Sequence, residues 1–342
     1  MKERTKSMES NDERSPIASA ATMQAWSIAR TDGIAALERI RTALPVPGPR
    51  EALVRVGASA LNFSDLLMAR GAYQVKPALP FTPGQEIAGE VVAVGAGSRL
   101  RVGERIASKV EWGGFAGCAV VRDDMAIVVP DALDSAAAAT LPVVWPTACI
   151  ALHDRARLLK GESVLVHAAA GGVGLAALQL ARAAGARSIA LVGSRSKFDA
   201  CRAAGADEVV CTTDPWVDLV REHGGADVVV DTVGGDATTE SLRCLRRGGR
   251  ILLIGFSSGV IPQIPANRLL LKNASALGVY WSHDWGLAQV ERAVAQVLEL
   301  HLRGAIRIEA GRAYAFDDLP RALEDLAARR TVGKSVLLAA AD

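Results

Sequence analysis

Residues 51–58 alternate in strand fashion, and residues 86–95 (EIAGEVVAVG) are β-branched, with glycines where another backbone must pass close by. The first third of the chain is therefore predicted to be β-rich. From Pro146 the pattern changes to regular alternation: a helix to about 158, a strand over 163–168, a helix over 172–184, a strand over 187–193 and a helix over 197–204. Strands at 208–211, 227–231 and 250–255 follow, the last two separated by a helix near 236–246. Alternation at this spacing requires right-handed crossovers and a parallel sheet with helices on both faces. A further strand at 275–281 closes the series. A long helix at about 287–303 and the C-terminal segments do not continue it and are expected to complete the first domain. The predicted class is α/β, with no internal repeat.

Composition agrees with this picture and removes several functions. At 342 residues the chain suits two domains. Lys and Arg number 39 against 37 Asp and Glu, a net charge of +2 without a basic stripe, so no nucleic-acid partner is implied. Only 4% of residues are aromatic while glycines number 32, a balance that favours small-residue packing and tight strand–helix turns. Cys118, Cys149, Cys201, Cys211 and Cys244 are odd in number and form no CxxC pair, which points to a reducing, cytoplasmic setting. The uncharged stretch 135–152 is alanine-rich and interrupted by Pro142 and Pro146, too weak for a membrane span. Residues 1–22 mix charged residues with serines and lack an apolar core, and are expected to be a disordered tail rather than a secretory signal.

The strongest chemical signal is VLVHAAAGGVGLAALQLARAAGA, an apolar strand running into Ala169-Ala170-Gly171-Gly172-Val173-Gly174 and then an amphipathic helix. Gly171 lets the backbone approach a pyrophosphate, Gly174 lets helix pack on strand, and the helix start offers N–H groups and a partial positive charge. Ala169 stands where the G-x-G-x-x-G fingerprint has its first glycine. A tight turn without a ligand would use the same glycines, but the position between strand and helix, at the head of a βα series, favours dinucleotide binding. The second strand ends in Gly193-Ser194-Arg195-Ser196-Lys197, where an NAD-selective fold carries an acid for the ribose hydroxyls. Arg195 and Lys197 suit a 2′-phosphate, so NADPH is expected over NADH.

Taken with Leu61-Asn62-Phe63-Ser64-Asp65, Gly71-Ala72-Tyr73, Pro83-Gly84-Gln85-Glu86-Ile87-Ala88-Gly89, Leu141-Pro142 with Pro146-Thr147-Ala148, Leu253-Ile254-Gly255-Phe256 and Val332-Gly333-Lys334-Ser335-Val336, the sequence resembles the zinc-independent quinone oxidoreductase (zeta-crystallin-like) branch of the medium-chain dehydrogenase/reductase superfamily. The resemblance runs from about Trp26 to the C-terminal motif. It implies a GroES-like β-rich catalytic domain from residues 23–145 and 283–342, and a Rossmann-type NADP-binding domain, a doubly wound parallel sheet, over 146–282. Asn62 and Thr147 match positions that contact the nicotinamide and its ribose. Ala170 to Gly174 match the pyrophosphate site, Gly193, Ser194, Arg195 and Lys197 the 2′-phosphate region, and Gly255-Phe256 the loop beneath the nicotinamide. A tyrosine usual after the third Rossmann strand is Thr212 here, a loss for which Arg329 or Arg330 compensates in this reading. The strand at 275–281 resembles the edge through which relatives pair their sheets, so a homodimer is expected.

Zinc alcohol dehydrogenases of the superfamily place a Cys where this chain has Asn62, a His where it has Gln85 and a Cys near Val143. Amide and aliphatic side chains cannot replace those ligands, so no metal is expected. His153, His167, His223, His283 and His301 share no ligand-like spacing. The remaining chemistry is hydride transfer from NADPH to a quinone, or to an enone or enoyl thioester. Tyr73 is the candidate proton donor, because enoyl reductases of the superfamily carry a tyrosine in the matching segment; Gln74 replaces the proline found there, and a packing role explains Tyr73 equally well. Phe81, Trp145 and Trp281 are candidate walls of a flat apolar slot, although core packing accounts for any one of them. Quinone reduction is the leading expectation, 2-enone or enoyl-thioester reduction the alternative within enzymes, and NADPH binding without significant turnover the alternative outside them. Neither a nucleic acid nor membrane insertion is expected.

Overall fold

The computed structural model describes residues 21–340, so residues 1–20 of the expected tail lie outside the described part. Thr22, the last position of that stretch, already belongs to a strand, Thr22–Ile28, which pairs antiparallel with Leu37–Ala43. The β-rich part is a seven-stranded sheet to which the two ends of the chain contribute. Its order runs Ala313–Tyr314, Val336–Leu338, Glu51–Ala60, Glu86–Val94, Arg105–Lys109 and Ala126–Val128, with Cys118–Arg122 paired off the path to Glu51–Ala60. Gly89 shows why this sheet needs glycine: a Cβ there would lie 2.0 Å from the Arg55 carbonyl oxygen on the neighbouring strand.

The central third forms a six-stranded parallel sheet in the order Glu208–Cys211, Arg187–Val192, Ser163–His167, Ala226–Asp231, Leu245–Leu253, Ser275–Gly278. Numbered by chain order within the sheet, that is 3-2-1-4-5-6, the doubly wound order whose direction reverses beside the first strand. Ser163–His167 is buried at every position, as a central parallel strand covered on two faces must be.

Several element bounds differ from the sequence expectation. The helix expected to start at Pro146 begins at Leu141, because Pro142 sits in its first turn, where its missing N–H costs nothing. It keeps Pro146 inside and widens into a π-helical turn, Ile150–Arg155, rather than running to 158. Two short helices, Trp216–Glu222 and Ala266–Lys272, were not expected. The last parallel strand stops at Gly278 instead of 281, and the long helix starts earlier, at His283, with Ser282 accepting from the Asp284 N–H as its cap.

The main core is continuous across the two sheets. Ala58, Ala88 and Ala107 of the antiparallel sheet pack with Leu141, Trp145 and Ala148 of the Leu141–Cys149 helix, and these with Val164 and Val166 of the parallel sheet. Small alanines let the helix approach closely, which fixes the carboxyl ends of the parallel strands against the antiparallel sheet. Among the described residues, no helix is long and apolar enough to cross a membrane.

Candidate active site

The phosphate turn follows the first parallel strand. Ala168 adopts a left-handed conformation (φ 45°), the Gly171 N–H donates to the Ala168 carbonyl at 2.8 Å, and the helix Gly172–Ala183 begins at once. A Cβ at Gly174 would lie 2.5 Å from the Ala169 carbonyl oxygen, so only glycine permits this strand–helix approach. The first N–H groups of the helix have no intrahelical acceptor and are open to an anion. Ala170 is fixed by a bond sequence reasoning missed: its carbonyl accepts from the Gly333 N–H at 2.8 Å, which binds the C-terminal segment to the turn.

That segment continues into a buried polar cluster. The Lys334 ammonium is 2.6 Å from a Glu86 carboxylate oxygen and also donates to Asn62 Oδ1. Asn62 Nδ2 donates to Glu86 at 2.9 Å, and the other Glu86 oxygen accepts from the Val143 N–H at 2.8 Å. Asn62 starts the short helix Phe63–Ala69, and its own N–H donates to Asp65 Oδ2 at 2.7 Å. Burial raises the Glu86 carboxyl, opposed by the Lys334 charge and the three hydrogen bonds it accepts. Burial likewise pushes Asp65 up to about 7, with the Glu86 charge adding to it, against the Asn62 and Gly84 N–H groups and the Lys334 charge.

From Val143 the contacts pass to the next predicted residue. The Thr147 hydroxyl donates to the Val143 carbonyl at 2.7 Å and accepts from Trp281 Nε1 at 2.9 Å, leaving one lone pair for a ligand. The Trp281 ring in turn carries Lys109 Nζ 5.7 Å from its centroid. Asn62, Thr147 and Trp281 thus belong to one connected group with the phosphate turn. Phe81 and Trp145 lie in the core: Phe81 exchanges backbone hydrogen bonds with Ile28 beside Met68, and Trp145, on the Leu141–Cys149 helix, is buried in the main core, at 7% and 4% exposure. Tyr73 packs at the edge of the Phe81 cluster. Burial raises its phenol and the nearby Tyr280 and Asp65 add to this, while a hydrogen bond with Gln85 opposes it.

At the second parallel strand, the Ser194 hydroxyl caps the turn Arg195–Lys197 by accepting from the Ser196 N–H. Lys197 Nζ donates to the Arg329 carbonyl at 2.8 Å, so the sequence-predicted Lys197 and Arg329 meet, through the arginine's backbone. Arg195 instead pairs with Asp214 at 2.7 Å, a carboxylate just past the third strand that the sequence reading missed; the exposed pair leaves its negative charge neutralised. Nothing lies within 4 Å of a Cβ built on Gly193, which leaves open space beside the turn. Gly255 and Phe256 form the loop after the fifth strand, tied by Ser257 and Ser258 N–H groups to the Thr232 and Val233 carbonyls. Asp231 anchors that neighbouring loop by accepting from the Val233 and Gly234 N–H groups and from Thr238. All these groups sit at the carboxyl ends of the parallel strands, where the order of the sheet reverses.

Asn62, Gln85 and Val143 stand at the three positions discussed for zinc. Gln85 accepts from the Ser64 hydroxyl and Asn62 is held by Glu86 and Lys334. Among the described residues, no cluster of three His, Cys, Asp or Glu side chains is arranged to hold a metal ion.

Comparison with known proteins agrees with this architecture. Residues 172–299 match the zinc-binding dehydrogenase family model and residues 48–154 the alcohol dehydrogenase GroES-like domain model. Quinone oxidoreductase-like protein 2 of Mus musculus is 36% identical over 307 residues, covering 87% of this chain and 88% of that protein. The Escherichia coli quinone oxidoreductase complexed with NADPH aligns with a TM-score of 0.83 at 30% identity, over 93% of this chain and all of that one. The quinone oxidoreductase of Thermus thermophilus, solved with and without NADPH, gives 0.81 at 33% identity over 92% and 100%.

Proposed function

The chain belongs to the quinone oxidoreductase branch of the medium-chain dehydrogenase/reductase superfamily, and we propose that it is an NADPH-dependent reductase that delivers hydride to a quinone or related conjugated carbonyl without zinc. The observation that carries this reading is the unbroken line of contacts from the phosphate turn through Gly333, Lys334, Asn62, Glu86, Val143 and Thr147 to Trp281. That line joins the turn suited to a pyrophosphate to Asn62 and Thr147, the residues expected at the reactive ring. The NADPH complexes of the solved relatives support that cofactor here.

In this reading the N–H groups of Gly172, Val173 and Gly174 hold the pyrophosphate, and Ser194, Lys197 and Arg329 frame the 2′-phosphate. Bound NADPH supplies the hydride. Asn62 and Thr147 orient the nicotinamide end, with Asn62 held fixed by Glu86 and Lys334, and the Gly255-Phe256 loop covers it. Amide and aliphatic side chains at 62, 85 and 143 supply no zinc ligand, so the acceptor must be activated by conjugation rather than by a Lewis acid. The 23–145 and 283–342 segments would carry the acceptor side of the site and 146–282 the cofactor side. The exposed edge of Ser275–Gly278 would pair with its copy in a homodimer. A second reading, a 2-enone or enoyl-thioester reductase, is favoured by Tyr73, whose half-buried phenol is held above its ordinary value by burial and so stays protonated and able to donate.

The test is NADPH consumption by the purified protein with a quinone, a 2-enone and an enoyl-CoA ester. The proposal expects turnover of the quinone above the other two. Preference for the enoyl ester supports the second reading, and tight NADPH binding with no acceptor reduced leaves a binding protein.

A further inference from the structure

We propose that Lys109 is the proton donor to the acceptor's carbonyl oxygen at this site, an inference that rests on the reductase reading above. Lys109 ends the strand Arg105–Lys109 and is paired directly with Glu86 on the neighbouring strand, so the two side chains leave the same face of the sheet. Glu86 is fully engaged by Lys334, Asn62 and the Val143 N–H. Lys109 is the contrast. Among the described residues its ammonium makes neither a hydrogen bond nor an ion pair, and its close contact is the face of Trp281.

Trp281 locates that ammonium in the site. Its Nε1 donates to the Thr147 hydroxyl, the group at the position expected to meet the nicotinamide ribose. A half-buried cation resting on an aromatic face beside Thr147 has no protein acceptor for its N–H groups among the described residues. A carbonyl oxygen gaining negative charge supplies one.

The surroundings suit donation. Burial lowers the Lys109 ammonium from its ordinary value; Glu111 next along the chain, Asp284 from the His283–Leu302 helix and Glu86 from the paired strand oppose this, and Arg122 adds to it. His283, edge-on to Trp281, is pushed down to about 4 by burial and by the Lys109 charge, so at neutral pH it brings no competing positive charge. Lys334, the other lysine of the region, already has its partners in Glu86 and Asn62.

The step balances as follows. Hydride from NADPH forms the new bond to hydrogen on the conjugated acceptor and drives an electron pair onto its carbonyl oxygen. The Nζ–H bond of Lys109 breaks, an O–H bond forms, and the neutral amine regains its proton from water. NADPH is oxidised to NADP⁺ and the acceptor gains two electrons and two hydrogens.

The experiment compares wild type, Lys109→Met and Lys109→Arg, measuring kcat against pH with NADPH and a quinone, and NADPH affinity by nicotinamide fluorescence. Wild-type kcat is expected to fall at alkaline pH with a midpoint below the ordinary lysine value of about 10.4. Lys109→Met should lower kcat about 100-fold and abolish that limb with NADPH affinity unchanged. Lys109→Arg should recover part of the rate while the limb moves to higher pH. A Met variant with wild-type kcat and pH profile would overturn the role of Lys109 alone, as would a loss of NADPH affinity matching the loss of rate. A wild type that reduces no acceptor would overturn the reductase reading, and this role with it.

Discussion

Asp65 and Glu86 are acids held where water cannot reach them, at 1% and 0% exposure, and their energetics set how the site responds to pH. For Asp65 the folded-state value of about 7 lies above the unfolded value of about 3.9, so between those limits the folded protein keeps a proton the unfolded chain releases. Its contribution to stability is complete below about 4 and is lost as pH rises through about 7. Urea midpoints at pH 5 and pH 8 should therefore differ more for wild type than for Asp65→Asn, the variant gaining relative stability at pH 8; parallel curves would contradict this. Lys197 offers a cofactor test at the same scale. Lys197→Ala should weaken NADPH binding about tenfold or more, since a charge-assisted hydrogen bond is worth about 1.5–3 kcal/mol, and leave NADH binding nearly unchanged. Equal losses for the two coenzymes would argue against a 2′-phosphate at this turn. The glycine turn was legible in the sequence because its constraint is local: Gly174 lies within a few residues of the carbonyl it must approach. The bond between Lys334 and Asn62 was not, because it joins residues 272 apart, and no periodicity reports such a pairing. Arg195 lies just past the second strand, but its partner Asp214 is visible only once the third strand lies beside the second.

Among the elements, the parallel strands were the most legible, because buried, β-branched runs leave little choice of period. The helices Trp216–Glu222 and Ala266–Lys272 escaped because each spans seven residues, about two turns, too few for a helical period to be told from a short apolar run. The strand expected at 250 starts at Leu245, yet its regular pairing resumes only at Arg250, opposite Val228; the shift in register between leaves the ladder to the part that was predicted. The helix Ala266–Lys272 matters for assembly. Leu270 and Leu271 on it are 74% and 76% exposed, and it leads into the unpaired edge Ser275–Gly278. In the proposed homodimer these leucines flank the joined edges. Leu271→Asp should shift the protein from dimer to monomer in sedimentation experiments, whereas a wild type that sediments as a monomer would remove the assembly proposal.

At the scale of the whole molecule, the decisive feature is a core that does not stop at the boundary between the two sheets. The Leu141–Cys149 helix shares one buried core with both of them, and its Val143 N–H and Thr147 hydroxyl link the buried acid of the antiparallel sheet to Trp281, which follows the last parallel strand. Cofactor binding should therefore stabilise the fold as a unit. At 100 times its dissociation constant NADPH should add about 2.7 kcal/mol, seen as a single, upward-shifted thermal transition. Two transitions of which only one moves would show that the sheets unfold separately. The most direct measurement is the crystal structure of the protein soaked with NADPH, with the metal content of the same preparation determined. The expected density is a pyrophosphate against the N–H groups of Gly172 to Gly174, a 2′-phosphate between Ser194 and Lys197, and a nicotinamide beside Thr147 and Asn62. Coenzyme density elsewhere or none at the turn, or one zinc per chain, would contradict it.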